Sequence, residues 1–475
     1  MSGPHRQIQG TWPNGPTEDL LELVLVVGLG HEDLGPTQSR PDLALKFHGL
    51  GQDLRFMTVR FGPEVILGGE PMAKSVTRRS CTMADRLGWM RTHHQDLVDR
   101  GLNWSPPVLG SANLPVSTVN DRATYMLSAN NYLNLTTHPK VKRAMIEATE
   151  RYGAGSGSVR AIAGTMDLHL QAEAKVAEFK GVESCLIYSA GYTVNVGLIP
   201  TLVRGSQDVI ISDELNHGSI IDGVRLTKAT RAVYPHNDMQ ALESVLKEHA
   251  GKDRKLIITD GVFSMDGDIA PLDEITELAE EHDAMIYVDD CHGEGVLGEG
   301  GAGIVDHFGL QGRVDFETGS FSKALGVQGG IAAGREEIRT HALNGSRSWL
   351  LSGSQPPGVA AAQKAAVEVL MDEPQHHAKL WENTNYFRAE LQSMGLDTGV
   401  STTPIIPIMC GASTTAKALS EDLLERGVMA GAIVFPMVAR DQARVRTQMS
   451  SGLTREDLDV VLGLIEASSR AVGLI

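Results

Sequence analysis

The chain has 475 residues, 42% of them apolar and 21% charged, enough for a sizeable core and more than one globular domain. Its 42 basic against 59 acidic side chains leave a formal charge of −17, which argues against nucleic acid or an anionic membrane surface as a partner. Cys81, Cys185, Cys291 and Cys410 are far apart in sequence; they fit a reducing compartment, and no disulfide framework or metal site is expected from them.

The first 75 residues break any long period with Pro4, Pro13, Pro16, Pro36 and Pro41. They are expected to be a poorly structured extension or sequence outside the working protein. The stretch from Leu67 to Met72 fits a coding readthrough of a ribosome-binding site ahead of a start at Met72. The apolar run Leu20 to Leu29 is short and carries Glu22, so neither a membrane span nor a secretory signal is expected and the cytoplasm is the default.

Residues 76–125 read as an N-terminal helical segment, with an amphipathic helix over 83–100, and 124–127 as a short strand. Residues 126–365 read as a large domain and 366–475 as a smaller α/β domain. A helix over 165–180 follows from Leu168, Ala172, Val176 and Phe179. Short apolar runs then alternate with helical stretches, at 184–188, 209–212, 255–259, 285–288 and 314–318. Pro271 opens one helix, and a long one is expected over 359–370. This pattern predicts an α/β fold with a mostly parallel central sheet and flanking helices.

The chemical residues fall just after the strands, where such sheets place ligands. Gly191 and Tyr192 open a helix after the first run, a position suited to phosphate. His217 follows the second run and could stack on a flat ring; Ser264 follows the third. Asp289 ends the fourth, with His292 three residues on, and Ser320 and Lys323 follow the fifth. A lysine amine can hold an aldehyde cofactor as a Schiff base, and a carboxylate can face that cofactor's ring nitrogen. Together they read as a pyridoxal 5'-phosphate (PLP) site. Arg444 and Arg446 alternate on a C-terminal strand and share a face, where a guanidinium could clamp a carboxylate.

From about Met83 onward the chain resembles the α-oxoamine synthases, PLP enzymes of fold type I. The resemblance is carried by Asn130-Asn-Tyr-Leu, Gly155 to Arg160 with Gly164 and His169, Asp213 with His217, Gly261 to Gly267, Val288 to Gly293, and Ser320 to Lys323. It implies that Lys323 holds the cofactor, Asp289 faces the ring nitrogen and His217 stacks on the ring. Gly191, Tyr192, Ser264, His292 and Ser320 complete cofactor binding. Ser352 and Gly353 match a loop that reaches the neighbouring subunit's site, so a homodimer with shared sites is implied. Lys323, His217 and His292 are the expected catalytic groups; Arg446, Asn130 and His217 are expected to bind substrate. Cys291 departs from the family's usual alanine beside the ring.

The wording from Arg444 to Ser450 points within the family to glycine C-acetyltransferase. Condensation of glycine with acetyl-CoA is therefore the first expectation. Alanine with a longer acyl thioester, as in 8-amino-7-oxononanoate synthesis, is the alternative, and transamination a further one.

Overall fold

The computed structural model describes residues 85–100, 103 and 105–475, together with two short antiparallel strands, Ala44–Leu45 and Met57–Thr58. The chain divides into two compact units, Met1–Asn103 and Trp104–Ile475. The first contains the helix Gly88–Asp99, shorter at its start than the expected 83–100. The remaining expectation for residues 1–75 lies outside the described residues.

In the second unit a seven-stranded sheet forms the centre. We label its strands β1 (Ser184–Tyr188), β2 (Val209–Asp213), β3 (Thr230–Tyr234), β4 (Lys255–Asp260), β5 (Met285–Asp289), β6 (Phe316–Ser320) and β7 (Gly330–Gly334). The spatial order is β1-β7-β6-β5-β4-β2-β3. Only β7 runs antiparallel to its neighbours, so the sheet is mixed but mostly parallel, the arrangement of fold type I.

Strands β1, β2, β4 and β5 form because their side chains are buried on both faces, which favours runs rich in Val, Ile and Leu; the edge strand β3 is exposed at Arg231 and Val233. Alternate residues supply two cores. On one face Ile187, Ile211, Ile257 and Val288 pack with Ala172, Val176 and Ile275. On the other, Leu186, Ile210, Leu256 and Tyr287 pack with Val194, Leu198 and Ile220. The long helix runs Pro357–Asp372, with proline at its first turn, where the missing N–H costs nothing.

Strand β6 starts two residues later than the apolar run suggested. Asp315 explains the offset: its carboxylate accepts the backbone N–H of Ile286 at 2.8 Å, so it serves the neighbouring strand's edge. Two strands, β3 and β7, were not foreseen. Beyond the main sheet, Ile405–Gly411, Ala443–Gln448 and Gly431–Ile433 form an antiparallel sheet packed on the helix Ser413–Glu425. Val116–Val119 and Arg122–Met126 form a hairpin whose turn residues, Asn120 and Asp121, take the positive φ that two-residue hairpin turns require. Among the described residues no helix is long and apolar enough to cross a membrane.

Candidate active site

The same edge of the sheet delivers every principal group. Strands β4, β5 and β6 end in Asp260, Asp289 and Ser320. After β1 the chain enters the helix Gly191–Leu202, and after β2 it reaches His217 at the head of the helix Gly218–Arg225. A cavity of about 260 Å³ opens there. Gly191, Tyr192, His217, Ser264, Asp289, His292, Ser320 and Lys323 all line it, as do Ser219, Asp260, Cys291 and Ser322.

The floor is Asp289, 4% exposed. Its Oδ2 accepts from Asn195 Nδ2 at 2.6 Å and its Oδ1 from the Cys291 backbone N–H at 3.1 Å. Asn195 also donates to Ser219 Oγ at 2.8 Å and accepts from the Tyr287 hydroxyl at 2.6 Å. The Ser219 amide and hydroxyl in turn contact His217 Nδ1, at 3.2 and 2.7 Å. With Nδ1 accepting, the ring proton sits on Nε2. Burial, and the nearby Lys323 charge, pull the His217 pKa down against the pull of Asp289, which favours the neutral imidazole.

Asp260 holds His217 from behind. Its Oδ2 accepts the His217 backbone N–H at 2.7 Å, and its own N–H donates to Asn216 Oδ1 at 2.7 Å. Burial and then the charge of Asp289 push its pKa well above the usual carboxylate range. Two acids thus sit on neighbouring strand ends, and Asp260 is the one driven toward the protonated form.

The opposite wall is a second chain of hydrogen bonds. Gln448 Nε2 donates to Tyr132 Oη at 3.1 Å and to Asn130 Oδ1. Tyr132 Oη lies 2.9 Å from His292 Nδ1. Since Tyr132 accepts from Gln448, its own proton goes to His292, leaving His292 a donor at Nε2. Burial first, then the charges of Lys323, Arg446 and His217, hold the His292 pKa well below the ordinary value. Tyr132 is pushed up to about 12 by burial.

Arg446 Nη1 donates to the Ser264 carbonyl at 2.8 Å. Its neighbour on the same face, Arg444, is 3% exposed and ties down Met265 and Asp266. The two arginines therefore hold the 264–266 loop together, and Arg446 stands behind Ser264 while Arg444 is fully committed. Arg446 and Asn130 flank the cavity through Ser264, Gln448 and Tyr132 and are not among its lining residues. Ser352 and Gly353 lie apart from it; Gly353 pairs with Val159 in an isolated antiparallel bridge.

Lys323 hangs in a loop closed by three backbone bonds: Phe321 N–H to Gly329 O, Val327 N–H to Phe321 O, and Gly326 N–H to Lys323 O, each 3.0 Å. The cavity's parts fit PLP. The first amides of the helix Gly191–Leu202 have no acceptor within the helix and suit a phosphate. Ser320 and Ser322 hydroxyls lie beside them, 2.7 Å apart. A side chain at Gly191 would put a Cβ 3.0 Å from Cys291 Sγ and 3.3 Å from Ser320 Cβ, so glycine keeps that approach open. An acid on the floor and a lysine at the rim complete the set.

Sequence reasoning missed Asp260, Asn195, Tyr132, Gln448 and Ser322. Asn195 had a signal: one amide inside the apolar helix of 191–202, 1% exposed. Tyr132 lies within a motif that was noticed, without a role given to it.

Comparison with known proteins agrees with this geometry. The profile of the family described as aminotransferase class I and II matches residues 124–465. The 8-amino-7-oxononanoate synthase of Symbiobacterium thermophilum is 53% identical over 368 residues, covering 77% of this chain and 94% of that protein. 8-Amino-7-oxononanoate synthase 1 of Bacillus subtilis is 49% identical, over 77% and 93%. Among solved structures, the serine palmitoyltransferase of Sphingomonas wittichii superposes with a TM-score of 0.78 at 31% identity, covering 83% of this chain and 99% of that one. That of S. paucimobilis, with bound PLP and myriocin, gives 0.77 at 29%, over 83% and 100%.

These relatives overturn the expectation of glycine and acetyl-CoA, since relatives at 44–53% identity are named 8-amino-7-oxononanoate synthases. The physical reason lies in the stretch that prompted it. The strand Ala443–Gln448 contacts the 264–266 loop, Asn130 and Tyr132. Its contacts are all to neighbouring protein groups, so its wording carries no record of acyl length.

Proposed function

We propose, from the premise that the chain belongs to the class I and II aminotransferase family and its PLP-dependent α-oxoamine synthase branch, that it condenses alanine with a long acyl thioester. The acyl group follows from the product named for the relatives. In 8-amino-7-oxononanoate the amino-bearing carbon and its methyl match alanine after loss of its carboxylate, and the other seven carbons match a dicarboxylic acyl group. Coenzyme A is the leaving thiol.

When bound, PLP supplies an electron sink for the pair left on the amino acid's Cα. Asp289, fixed by Asn195, would face the ring nitrogen. Lys323 Nζ, in the cavity lining, would hold the cofactor and is placed to take the Cα proton of the amino acid. Arg446 receives the substrate carboxylate as the Ser264 loop yields one of its donors. His217 and His292, both neutral with Nε2–H free, donate to the thioester oxygen as charge develops there. The new C–C bond joins Cα to the acyl carbon as the C–S bond breaks and the thiolate leaves; the carboxylate departs as carbon dioxide, and the proton held by Lys323 returns to Cα.

Ser352 and Gly353, outside the chain's own cavity, fit the reading of a homodimer in which each copy completes the other's site. The exposed side chains of Leu351 and Ile162, 66% and 83% accessible, support it.

The functional reading rests on 53% identity to a relative covered over 94% of its length, joined to a single cavity holding Lys323, Asp289 and His217. It is tested with alanine, glycine and serine against acyl-CoAs of increasing length, read by thiol release and carbon dioxide. Alanine with the seven-carbon dicarboxylic thioester should be fastest. Amino transfer to keto acids without thiol release, or preference for a short acyl group, would overturn it. Lys323→Ala should abolish both visible cofactor absorbance and thiol release.

A further inference from the structure

Away from the cavity, His138, Glu373 and His376 converge from segments more than 230 positions apart. We propose that they form a binding site for a divalent first-row transition cation, with Zn2+ the ion to test.

The geometry comes first. Glu373 Oε2 lies 3.1 Å from His376 Nε2 and 3.4 Å from His138 Nε2. The edge of a tetrahedron with metal–ligand bonds of about 2.0–2.1 Å is about 3.3 Å, so these donors already stand at the separation two ligands of one ion would have. All three ligand atoms lie within 4.8 Å of one another. The two imidazoles are nearly perpendicular, at 87° with centroids 5.7 Å apart, so their Nε2 lone pairs can converge without stacking.

The set is held by the fold. His138 precedes Pro139 and caps the helix Pro139–Tyr152. Glu373 and His376 occupy the corner between the helices Pro357–Asp372 and Gln375–Ser393. The His138 Nδ1 is buried and has no partner, so Nε2 alone engages that ring.

Charge and access also suit a cation. Side-chain exposures of 15%, 32% and 26% for His138, Glu373 and His376 leave an ion a route in and room for water as a further ligand. Lys140 is taken by Glu368 and Asp372, at 3.2 and 3.1 Å, and so does not compete for Glu373. Two imidazoles and a carboxylate are borderline ligands that select such ions over Mg2+ or Ca2+. A bound ion would tie the start of one helix to the junction of two others.

The test uses untagged holoenzyme, stripped with chelator and titrated calorimetrically with Zn2+. One saturable site per chain is expected, weakened at least about tenfold by His138→Gln and by His376→Gln. His282→Gln, in the cluster of Glu243, Glu281 and His282, should leave it unchanged. At saturating Zn2+ the Tm should rise by about 2–4 °C in the wild type and not in the variants. Unchanged visible cofactor absorbance certifies that each variant is folded, and Glu373→Gln replaces any that is not. Absence of saturable binding, or affinity equal in wild type and both histidine variants, would overturn the proposal.

Discussion

Asn195 Nδ2 donates to Asp289 Oδ2 at 2.6 Å, linking a helix on one face of the sheet to the acid at the end of β5. The same amide reaches Ser219, which holds His217, so the floor and one wall of the cavity share a single side chain. An amide with both hydrogens and its oxygen engaged cannot turn without breaking all three bonds.

Replacing that amide with an apolar side chain, Asn195→Leu, removes the side-chain partner of Asp289 Oδ2, leaving that carboxylate the Cys291 N–H alone, and takes one partner from the Tyr287 hydroxyl. A buried polar atom left without its partner costs about 1–3 kcal/mol. Weaker cofactor retention, by about tenfold or more, and a lower urea midpoint are expected. Equilibrium dialysis of PLP and denaturation curves check this; retention equal to wild type would remove Asn195 from the relay.

Arg446→Lys keeps a positive charge and loses the planar fork. A hydrogen bond to a charged group contributes about 1.5–3 kcal/mol, so the KM for the amino acid should rise about 10- to 100-fold. The KM for the acyl thioester should move little. Arg444→Lys should instead lower stability, because Arg444 is committed to Met265 and Asp266.

His236 gives a pH dependence of known sign. Burial pulls its pKa down, but the hydrogen bonds it donates to Asp213 and Asp268, at 3.1 and 2.8 Å, outweigh this and raise it to about 10. A raised folded-state pKa contributes stability that is fully present below the unfolded value near 6.5 and is lost as pH climbs through about 10. His236 also meets Phe263 edge-on at 4.3 Å, so the loss should loosen the loop bearing Ser264. Urea midpoints from pH 6 to 10 should fall more steeply in the wild type than in His236→Gln.

Burial pushes the Cys291 thiol well above its ordinary pKa, with the Asp289 charge adding to the effect. The nucleophile is the thiolate, so alkylation by iodoacetamide at pH 7.5 should be far slower than for a free cysteine at about 8.5. Cys291→Ala should retain activity. Rapid inactivation by alkylation at Cys291 would contradict this placement.

Much of the site was legible in the sequence because parallel strands are continuous apolar runs and their ends carry the chemistry. Lys323, Asp289 and His217 fell where the runs stop. Strand β7 escaped notice because Gly330-Ile-Ala-Ala-Gly334 has neither alternation nor bulk. Its composition answers to a neighbour: a Cβ at Gly330 would lie 2.4 Å from the Ala190 carbonyl. Within the triad only Glu373 and His376 share a short spacing, three positions; His138 is joined to them by the fold alone. Acyl length is not legible in the stretch from Arg444 to Ser450, whose strand contacts the 264–266 loop, Asn130 and Tyr132.

The strand running against its neighbours governs how the lysine behaves. By returning at once beside β6, β7 tethers the 321–329 loop at both ends, so the backbone bearing Lys323 has no hinge of its own. The reach of the amine is then set by its own four methylenes, so its mooring stays the same whether or not anything is attached to it.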